Sequence, residues 1–320
     1  MSDLRALDRQ RGLSLSTDLP QQLQTIKTPL RIEAWALNLQ DHPDKDYTHY
    51  ILQGIQYGFR MGFNRAIRCK ATARNLRSAY DHPKVVETYL TNEVKLGRVT
   101  LFPWEIASHI PNLTTSPVGV IPKRNRPDKW RLIVDLSSPE GRSVNDGIDR
   151  EVCSISYASI DDAVSLLQSS GTGAQMAKID LKEAYRMVPI HPEDRPLLGM
   201  RWKGGVFIDG TLPFGLRSAP KIFSAIADAL IWVLHKKGFP SSLHYLDDFL
   251  LVGPAGTPVC AEALQAMLQL CEVLGVPVAE EKTEGPAKVI TFLGIEVDSG
   301  HMQLRLPQDK LENLRSCIEQ

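Results

Sequence analysis

Two adjacent carboxylates, Asp247 and Asp248, interrupt the apolar run His-Tyr-Leu-Asp-Asp-Phe-Leu-Leu-Val-Gly at positions 244–253. The aromatic and branched residues on both sides predict a tight β-hairpin with the two acids at its tip. Neighbouring carboxylates repel each other unless a cation lies beside them. A divalent ion such as Mg²⁺ suits this position, because hard ions bind both carboxylate oxygens and phosphates. Taken alone, the same pattern also fits a solvated turn.

A third acid, Asp180, ends the apolar run Met-Ala-Lys-Ile-Asp at positions 176–180, which predicts a buried strand. An isolated Asp at a strand end is often only a helix cap. Together with Asp247 and Asp248, however, it could gather two metal ions. Such a pair of ions stabilises the attacking and leaving oxygens of an in-line phosphoryl displacement. Tyr185 follows this acid five positions later.

A second candidate site is a cationic loop between two β-rich runs, at positions 118–122 and 130–134. Arg131 lies in the second run, and the loop itself carries Lys123, Arg124, Arg126 and Lys129. One interpretation is an exposed hairpin with solubilising charges. The other is a flexible finger that folds over a triphosphate, since Arg and Lys are the side chains that bind phosphate.

A further basic segment precedes it, with Arg60, Arg65, Arg68, Lys70, Arg74 and Arg77. Either a solvated basic face or a contact with nucleic acid would explain such a cluster. The 37 basic and 37 acidic residues of the chain cancel, so a nucleic-acid partner has to be argued from local clusters of this kind.

Composition limits the class of protein. The 320 residues are 43% hydrophobic and 23% charged, which is ordinary for a globular protein. The five cysteines form no Cys-x-x-Cys pair, and this indicates reduced thiols in an intracellular protein, cytoplasmic or nuclear. No signal peptide and no apolar run of membrane-spanning length are present in the sequence, so no membrane partner is expected.

Helix signals surround the candidate residues. One helix is predicted from Pro83 to about Leu96, capped by Asp81, and a second over 160–168 with Ser159 as its cap. A third follows the turn Leu-Pro-Phe-Gly at 212–215, with Ser218 as cap and Gly238 as its end. A fourth ends at Gly275, and a last strand is predicted over 289–297. Residues 1–28 are predicted to be a mobile lead-in, and 29–95 a helical N-terminal region.

Over roughly residues 80–300, the ordered set of motifs resembles the reverse transcriptases. The set comprises the basic finger, Asp180 with Tyr185, Leu-Pro-Phe-Gly at 212–215, Tyr-Leu-Asp-Asp at 245–248, Lys282 and Phe-Leu-Gly at 292–294. Two runs resemble one branch of the family closely in their amino-acid sequence. They are Trp-Arg-Leu-Ile-Val-Asp-Leu-Ser-Ser-Pro-Glu-Gly (130–141) and Leu-Pro-Phe-Gly-Leu-Arg-Ser-Ala-Pro-Lys-Ile-Phe (212–223). That branch is the DIRS-like retrotransposons, which encode a tyrosine recombinase.

The resemblance implies an α+β, right-hand polymerase fold across residues 96–300, with fingers and an antiparallel palm sheet backed by helices. Residues 301–320 would begin a connection towards a thumb that this chain lacks. A ribonuclease H domain and the recombinase are expected further downstream in a polyprotein. The implied activity is RNA-directed DNA polymerisation with two Mg²⁺ or Mn²⁺ ions. The implied partners are an RNA template, a DNA primer and deoxynucleoside triphosphates.

The resemblance also implies roles for individual residues. Asp180, Asp247 and Asp248 would be catalytic metal ligands, and Lys282 would protonate the leaving pyrophosphate. The incoming nucleotide would be bound by Lys123, Arg124, Arg131, Tyr185, Phe214 and Gly215. The primer end would be gripped by Phe292, Leu293 and Gly294. Two departures from the family are the length of the loop between Ile121 and Trp130, and Phe214 in a place where some viral relatives have Gln.

Two other functions remain open. The chain could be a catalytically idle nucleic-acid-binding remnant or a domesticated fragment, in which the acids persist without activity. It could also be an RNA-directed RNA polymerase, which shares the palm. The ring of Tyr185 argues against that alternative, since a bulky side chain at the family's steric gate would crowd a ribose 2′-hydroxyl.

Overall fold

The computed structural model describes residues 19–67, 69, 74–123 and 126–318. Its helices are α1 (Gln21–Gln24), α2 (Ile32–Leu39), α3 (Lys45–Tyr57), α4 (Arg77–Asp81), α5 (Pro83–Lys95), α6 (Trp104–Ala107), α7 (Ile160–Ser170), α8 (Ala219–Lys236), α9 (Val259–Leu274) and α10 (Gln308–Ile318). Its strands are β1 (Val99–Pro103), β2 (Thr115–Ser116), β3 (Val118–Lys123), β4 (Arg126–Val134), β5 (Gln175–Asp180), β6 (Gly199–Trp202), β7 (Gly205–Asp209), β8 (Ser242–Tyr245), β9 (Asp248–Gly253), β10 (Glu284–Ala287), β11 (Val289–Phe292), β12 (Ile295–Asp298) and β13 (Gln303–Arg305). Short 3-10 turns occur at Asn145–Gly147, Ala184–Met187, Pro192–Leu198 and Glu280–Lys282.

The chain divides into two compact units, and both mix helices with strands, which confirms the predicted α+β class. The first unit comprises Met1–Ile32, Gln40–Ile155 and Tyr185–Phe223. The second comprises Glu33–Leu39, Ser156–Ala184 and Ser224–Gln320. Residues 95 and 96, where the sequence analysis expects a domain boundary, both lie in the Gln40–Ile155 stretch of the first unit.

The first unit is built on a sheet with the strand order β1-β7-β6-β2, in which only the β2–β6 pair is parallel. Strands β3 and β4, which follow β2 in the chain, form the predicted hairpin. Val86 and Leu90, from the predicted stripe of α5, are buried in one core with Val118 and Val120 of β3. Helix α5 is therefore part of this unit's core.

Two predictions about the N-terminal segment are wrong. Residues 19–28 are not a loose lead-in, because Leu19 and Leu23 are buried in a cluster with Phe102, and Thr28 donates a 2.6 Å hydrogen bond to the Met187 carbonyl. Residues 1–18 lie outside the described residues. Asp81 does not cap α5, since it is the last residue of α4. Pro83 does open α5 in place of a side-chain cap.

Buried ion pairs tie distant parts of the first unit together. Arg186, from the turn that carries Tyr185, lies 2.6 Å from a carboxylate oxygen of Glu93 in α5 and 2.7 Å from one of Asp209 in β7. All three side chains are buried. These carboxylates hold the pKa of Arg186 above its usual range even though burial opposes the charge. The turn is thus anchored to the helical segment and to the sheet.

The second unit is built on an antiparallel sheet with the order β10-β5-β9-β8. Helix α7 covers part of it: Ala163 and Leu167 pack with Met176 of β5 and Leu250 of β9. The predicted cap of α7 is confirmed, since Ser159 and Asp162 form a reciprocal capping box. Helix α9 ends at Gly275 in the left-handed conformation, as its sequence predicts.

The last predicted strand is instead a hairpin. Strands β11 and β12 pair across the turn at Leu293 and Gly294, and β13 adds a third strand to the sheet. Both turn residues have positive φ, 48° and 74°, a conformation that breaks a continuous strand.

A second correction concerns α8. It includes Pro220 in its first turn as predicted. The predicted cap does not form, because the Ser218 hydroxyl is buried without a hydrogen-bond partner among the described residues.

In the part of the chain that the structure describes, no helix is long and apolar enough to cross a membrane.

Candidate active site

The predicted hairpin of β8 and β9 carries Asp247 and Asp248, and the pairing of β9 with β5 brings Asp180 beside them. Asp248 is the first residue of β9 and lies directly opposite Asp180, the last residue of β5, in the antiparallel register. Asp247 occupies the turn after Leu246, whose φ is 51°. The Asp247 carbonyl accepts a 3.0 Å hydrogen bond from the Leu181 amide, which joins the turn to the end of β5. The three carboxylates therefore lie at one end of one sheet.

Charge repulsion and partial burial act on these acids together. Burial raises the pKa of Asp247, and the negative charge of Asp180 raises it further. Burial also raises the pKa of Asp248, with additional repulsion from Asp247 and Asp180. Ionisation of Asp247 and of Asp248 is therefore unfavourable, and a nearby cation would reduce that cost.

Lys282 provides the cation in this structure. Its ammonium lies 3.0 and 3.1 Å from the two carboxylate oxygens of Asp180. The bonding to Asp180 raises the pKa of Lys282. A 3-10 turn places the side chain there, and the Ala279 amide just before that turn donates to the Asp180 carbonyl at 2.9 Å. The sequence separation of 102 residues makes this contact a product of tertiary structure.

The acids fit a divalent ion by their chemistry, because clustered carboxylates are the donors that Mg²⁺ and Mn²⁺ prefer. Burial first, and then repulsion among the acids, raise the pKa values of Asp247 and Asp248, and a bound cation would offset both effects. Across the described residues, no group of three or more His, Cys, Asp or Glu side chains is arranged to hold a metal ion. In this structure the carboxylate of Asp180 is paired with the ammonium of Lys282.

The Phe-Leu-Gly segment of the second unit forms the turn between β11 and β12. Phe292 is buried in the core with Met176 and Val252. Leu293 and Gly294 are only half-buried, and the Gly294 carbonyl accepts a 2.7 Å hydrogen bond from Lys310. Of the three residues predicted to grip a primer, Phe292 therefore anchors the turn in the core, and Leu293 and Gly294 form its partly exposed tip.

The predicted nucleotide-binding residues belong to the first unit. Lys123 and Arg131 are exposed on β3 and β4, and Arg131 lies opposite Ile121 in the hairpin register. Arg124 lies outside the described residues. The hairpin thus presents basic side chains to solvent, as both interpretations of its sequence require.

Tyr185 and the Pro-Phe-Gly turn are in contact. The ring centroid of Tyr185 lies 5.1 Å from that of Phe214 and 5.4 Å from that of the fully buried Phe223. Phe214 is 63% exposed, which is unusual for so large an apolar side chain. Gly215 has a φ of 85°, so the turn requires glycine at this position. The turn therefore holds an exposed aromatic surface against Tyr185.

Sequence reasoning missed the residue that fixes this turn. Asn145 is buried and bonds to the segment around the Pro-Phe-Gly turn through both ends of its amide. Its Nδ2 donates to the Gly215 carbonyl at 2.9 Å, and its Oδ1 accepts from the Arg217 amide at 2.8 Å. The Arg217 guanidinium in turn donates to the Asn145 and Ile148 carbonyls. No local signal in the sequence points to this role, because the partners are about 70 residues apart.

Comparison with solved structures identifies the fold. The chain superposes on the foamy viral protease-reverse transcriptase in complex with an RNA/DNA hybrid with a TM-score of 0.61 at 15% identity, covering 95% of this chain and 38% of that one. For the same foamy viral protein in complex with dsDNA, the TM-score is 0.56 at 15% identity, and the coverage is 95% and 59%. The fold is therefore that of polymerase fingers and palm, as the resemblance implied.

Sequence comparison identifies the family. The model of the reverse transcriptase (RNA-dependent DNA polymerase) family matches residues 121–297, more than half of the chain. The chain belongs to this family. Relatives include the Gag-Pro-Pol polyprotein of mouse mammary tumor virus, 26% identical over 72% of this chain and 12% of the polyprotein. The Gag-Pro-Pol polyprotein of Mason-Pfizer monkey virus is 25% identical over 73% of this chain and 13% of its own length. The chain thus spans about an eighth of these relatives.

Proposed function

We propose that this chain is the RNA-directed DNA polymerase core of a retroelement polyprotein. The observation that carries the proposal is the register of β5 and β9, which sets Asp180 opposite Asp248 with Asp247 in the adjoining turn. This arrangement lies inside the residues that match the reverse transcriptase family. When bound, two Mg²⁺ or Mn²⁺ ions would stabilise charge on the attacking and leaving oxygens. Asp180, Asp247 and Asp248 would hold them.

The other residues act on the substrates. Lys282 would donate a proton to the leaving pyrophosphate, a role suited to an ammonium held at the acidic cluster. Lys123, Arg124 and Arg131 would bind the triphosphate of the incoming deoxynucleotide, since Arg and Lys favour phosphate. Phe214 and Gly215 would pack against the nucleotide, and Tyr185 would exclude a ribose 2′-hydroxyl.

The proposed partners are an RNA template paired with a DNA primer. The solved foamy viral structures, which hold an RNA/DNA hybrid in one case and dsDNA in the other, support this choice. The turn at Leu293 and Gly294 would contact the primer end. A thumb, a ribonuclease H domain and further domains of the polyprotein would act together with this core. Its buried thiols, Cys153, Cys260 and Cys271, are free, which suits an intracellular setting.

We also propose that the element is a DIRS-like retrotransposon. The support is the amino-acid sequence of the segments 130–141 and 212–223, which resembles that branch. In addition, the chain is only 25–26% identical to the retroviral relatives named above. Sequencing of the genomic locus tests this point. A tyrosine recombinase reading frame in the same element is expected, and an integrase of the retroviral type in its place would refute it.

Primer extension tests the activity. The purified chain is given a homopolymer RNA template with a DNA primer, Mg²⁺ or Mn²⁺, and either deoxy- or ribonucleoside triphosphates. Extension with deoxynucleotides that is lost in Asp247→Asn is expected. Preference for ribonucleotides would indicate the RNA polymerase alternative. Hybrid binding without extension under both ions would indicate an idle remnant.

A further inference from the structure

The β11–β12 hairpin and strand β5, which ends at Asp180, belong to different sheets of the second unit. Their buried side chains share one core, to which Phe292 and Met176 contribute. Hydrogen bonds from two polar side chains add to this packing, one from Ser299 and one from Lys178. The two bonds lie at opposite ends of the hairpin, so they constrain different parts of it.

The bond from Ser299 fixes the open end of the hairpin. Ser299 directly follows β12 and is fully buried. Its hydroxyl donates to the Ala174 carbonyl at 2.6 Å, just before β5 begins. The same hydroxyl lies 3.1 Å from the Lys288 carbonyl, just before β11 begins. Ser299 thus joins the starts of β5 and β11.

The bond from Lys178 fixes the hairpin close to its turn. The ammonium donates to the Thr291 carbonyl at 3.2 Å, two positions before Leu293. Alternation along a strand places Lys178 on the same face of β5 as Asp180, two positions further on. Since β5 and β11 are tied start to start and end to end, the hairpin turn lies towards the end of β5 that carries the acid.

The partners of Lys178 hold its ammonium in this position. The side chain is only 17% exposed, and its head also pairs with Glu284 of β10 at 3.2 Å. Glu284 lies directly opposite Lys178 in the register of β10 and β5. An ammonium has three N–H donors, so it can bond to the carbonyl and to the carboxylate at once. One side chain therefore links β5 to β10 in its own sheet and to β11 in the next.

The charge of Lys178 offers a second interpretation. Burial raises the pKa of Asp248, the neighbouring acids raise it further, and the positive charge of Lys178 lowers it. A role of this kind would act on the affinity of the acids for cations. A role in holding the hairpin would act on the location of its turn. The two interpretations therefore differ in what a substitution of Lys178 changes.

We infer that Lys178 is a positioning residue for nucleotide addition, which holds the turn at Leu293 and Gly294 in place relative to the acids at the end of β5. The inference rests on the proposed function, in which this turn would contact the primer end and Asp180 would help to hold the metal ions. In this role Lys178 touches neither substrate nor metal. It matters because a misplacement of the reacting groups by about 1 Å can lower a rate about 100-fold.

Photocrosslinking in the absence of catalysis tests the location of the turn. The full chain is mixed in chelator with an RNA template and a DNA primer whose last nucleotide carries a diazirine. In the wild type, the crosslinked peptide should contain Leu293. Lys178→Met keeps the length of the stem and removes the donor, so the yield at this peptide should fall by about 5-fold, the value of one hydrogen bond. Affinity for the hybrid should not change, because phosphate contacts dominate it.

Primer extension with Mg²⁺ tests the consequence for the reaction. In Lys178→Met, kcat should fall by about 10- to 100-fold, and KM for deoxynucleotides should not change. Lys178→Arg keeps a donor for the Thr291 carbonyl and should recover most of the rate. Lys237→Met removes an exposed ammonium just after α8 and should match the wild type. If Lys178→Met does not fold, Lys178→Gln, with a polar head on a shorter stem, takes its place.

Ser299→Ala separates positioning from general loosening of the hairpin. It removes a buried hydrogen bond, so its melting temperature should fall at least as much as that of Lys178→Met. Because the tie beside the turn remains, the crosslink and kcat should stay close to those of the wild type. Equal losses of crosslinking and of kcat in both variants would overturn the inference, since loosening alone would explain them.

Other results would overturn it as well. If Lys178→Met crosslinks and extends as the wild type does, Lys178 has no role in positioning. If isothermal titration shows altered Mn²⁺ affinity while the crosslink is unchanged, Lys178 acts on the acids through its charge. A wild type that does not extend the primer would contradict the proposed function instead. The crosslink needs no nucleotide and would still report on Lys178 in that case.

Discussion

The ammonium of Lys282 lies within hydrogen-bond distance of both carboxylate oxygens of Asp180, at 3.0 and 3.1 Å. The ammonium of Lys282 thus binds Asp180, the carboxylate that is proposed to hold a metal ion. Because Lys282 is 59% exposed, the pair is weak and can exchange for another cation. Lys282 is therefore both a counter-charge for Asp180 and a candidate proton donor.

Replacing Lys282 with Met should separate these two roles. Without the competing ammonium, Mn²⁺ should bind about 2- to 5-fold more tightly, in keeping with the value of an exposed ion pair. Primer extension should nevertheless fall, because the proton donor is lost. Isothermal titration of the chain without nucleotide measures the first effect. Lys237→Met, an exposed lysine just after α8, is the matched control. Unchanged Mn²⁺ affinity would show that Lys282 does not compete for the acids.

Asp247→Asn should abolish nucleotide addition and leave the protein as stable as the wild type or more stable. Burial and repulsion raise the pKa of Asp247 in the folded protein. The stability linked to its protonated form is therefore complete below the unfolded pKa and is lost as pH rises through the folded pKa. At neutral pH the neutral amide avoids this loss. Thermal melting in chelator tests the stability.

Mg²⁺ should then raise the melting temperature of the wild type more than that of Asp247→Asn, since a ligand stabilises the state that binds it. Glu272→Gln, at an exposed acid on α9, serves as the control for loss of one negative charge. Near-normal extension by Asp247→Asn would remove the basis for assigning metal ions to these acids.

Tyr185→Val should admit ribonucleotides. The side chain packs on Phe214 and Phe223, and its shortening would open space beside the exposed face of Phe214. The preference for deoxy- over ribonucleotides should fall by about 10- to 200-fold, the usual value of a steric difference in a pocket. Competition of both nucleotide types in one reaction measures it. Tyr185→Phe keeps the ring and should retain selectivity. A less stable Tyr185→Val protein with unchanged selectivity would mean that Tyr185 only packs.

Asn145→Ala should loosen the Pro-Phe-Gly turn. The substitution leaves the Gly215 carbonyl and the Arg217 amide without their partner, at a cost of about 1–3 kcal/mol in the free energy of unfolding. Because Phe214 would then be less well held, KM for deoxynucleotides should rise more than kcat falls. Steady-state kinetics and chemical denaturation measure the two effects. Asn92→Ala, on the exposed side of α5, should change neither by a measurable amount. A variant with normal KM would limit Asn145 to stability.

Arg186→Met should be strongly destabilising, by about 3–5 kcal/mol, because it leaves the buried carboxylates of Glu93 and Asp209 without their shared cation. Arg77→Met breaks the exposed pair with Asp81 and should cost no more than about 1 kcal/mol. Urea denaturation of both variants measures the difference. Similar costs would show that the buried network contributes little to the first unit.

Much of the local structure was predictable because its signals lie close together in sequence. The aromatic and branched residues on both sides of Asp247 and Asp248 predicted the hairpin of β8 and β9, and the structure confirms it. The capping box of Ser159 with Asp162 and the glycine after α9 marked helix ends correctly. Prediction was wrong where a short turn interrupted an apolar run. The strand predicted over 289–297 is broken by Leu293 and Gly294 in left-handed conformations.

The roles of the basic residues could not be predicted in the same way. Arg60 and Arg74 are of one type and lie 14 positions apart in the sequence, yet one is buried and the other exposed. The acids that bury Arg60, Glu193 and Asp194, lie more than 130 residues further along the chain. Asn145 shows the same limit, since both of its partners in the Pro-Phe-Gly segment are distant in sequence.

By itself, the sequence determined which residue types stand at the candidate site, which strands and helices carry them, and the family to which the chain belongs. These properties follow from local periodicity, caps and the order of motifs. Only the tertiary structure decided that Lys282 binds Asp180, that Asn145 holds the Pro-Phe-Gly turn, and that Arg60 is buried against Glu193 and Asp194. The physical reason is that burial, charge pairing and hydrogen bonding depend on neighbours in space, which the packing of distant segments selects.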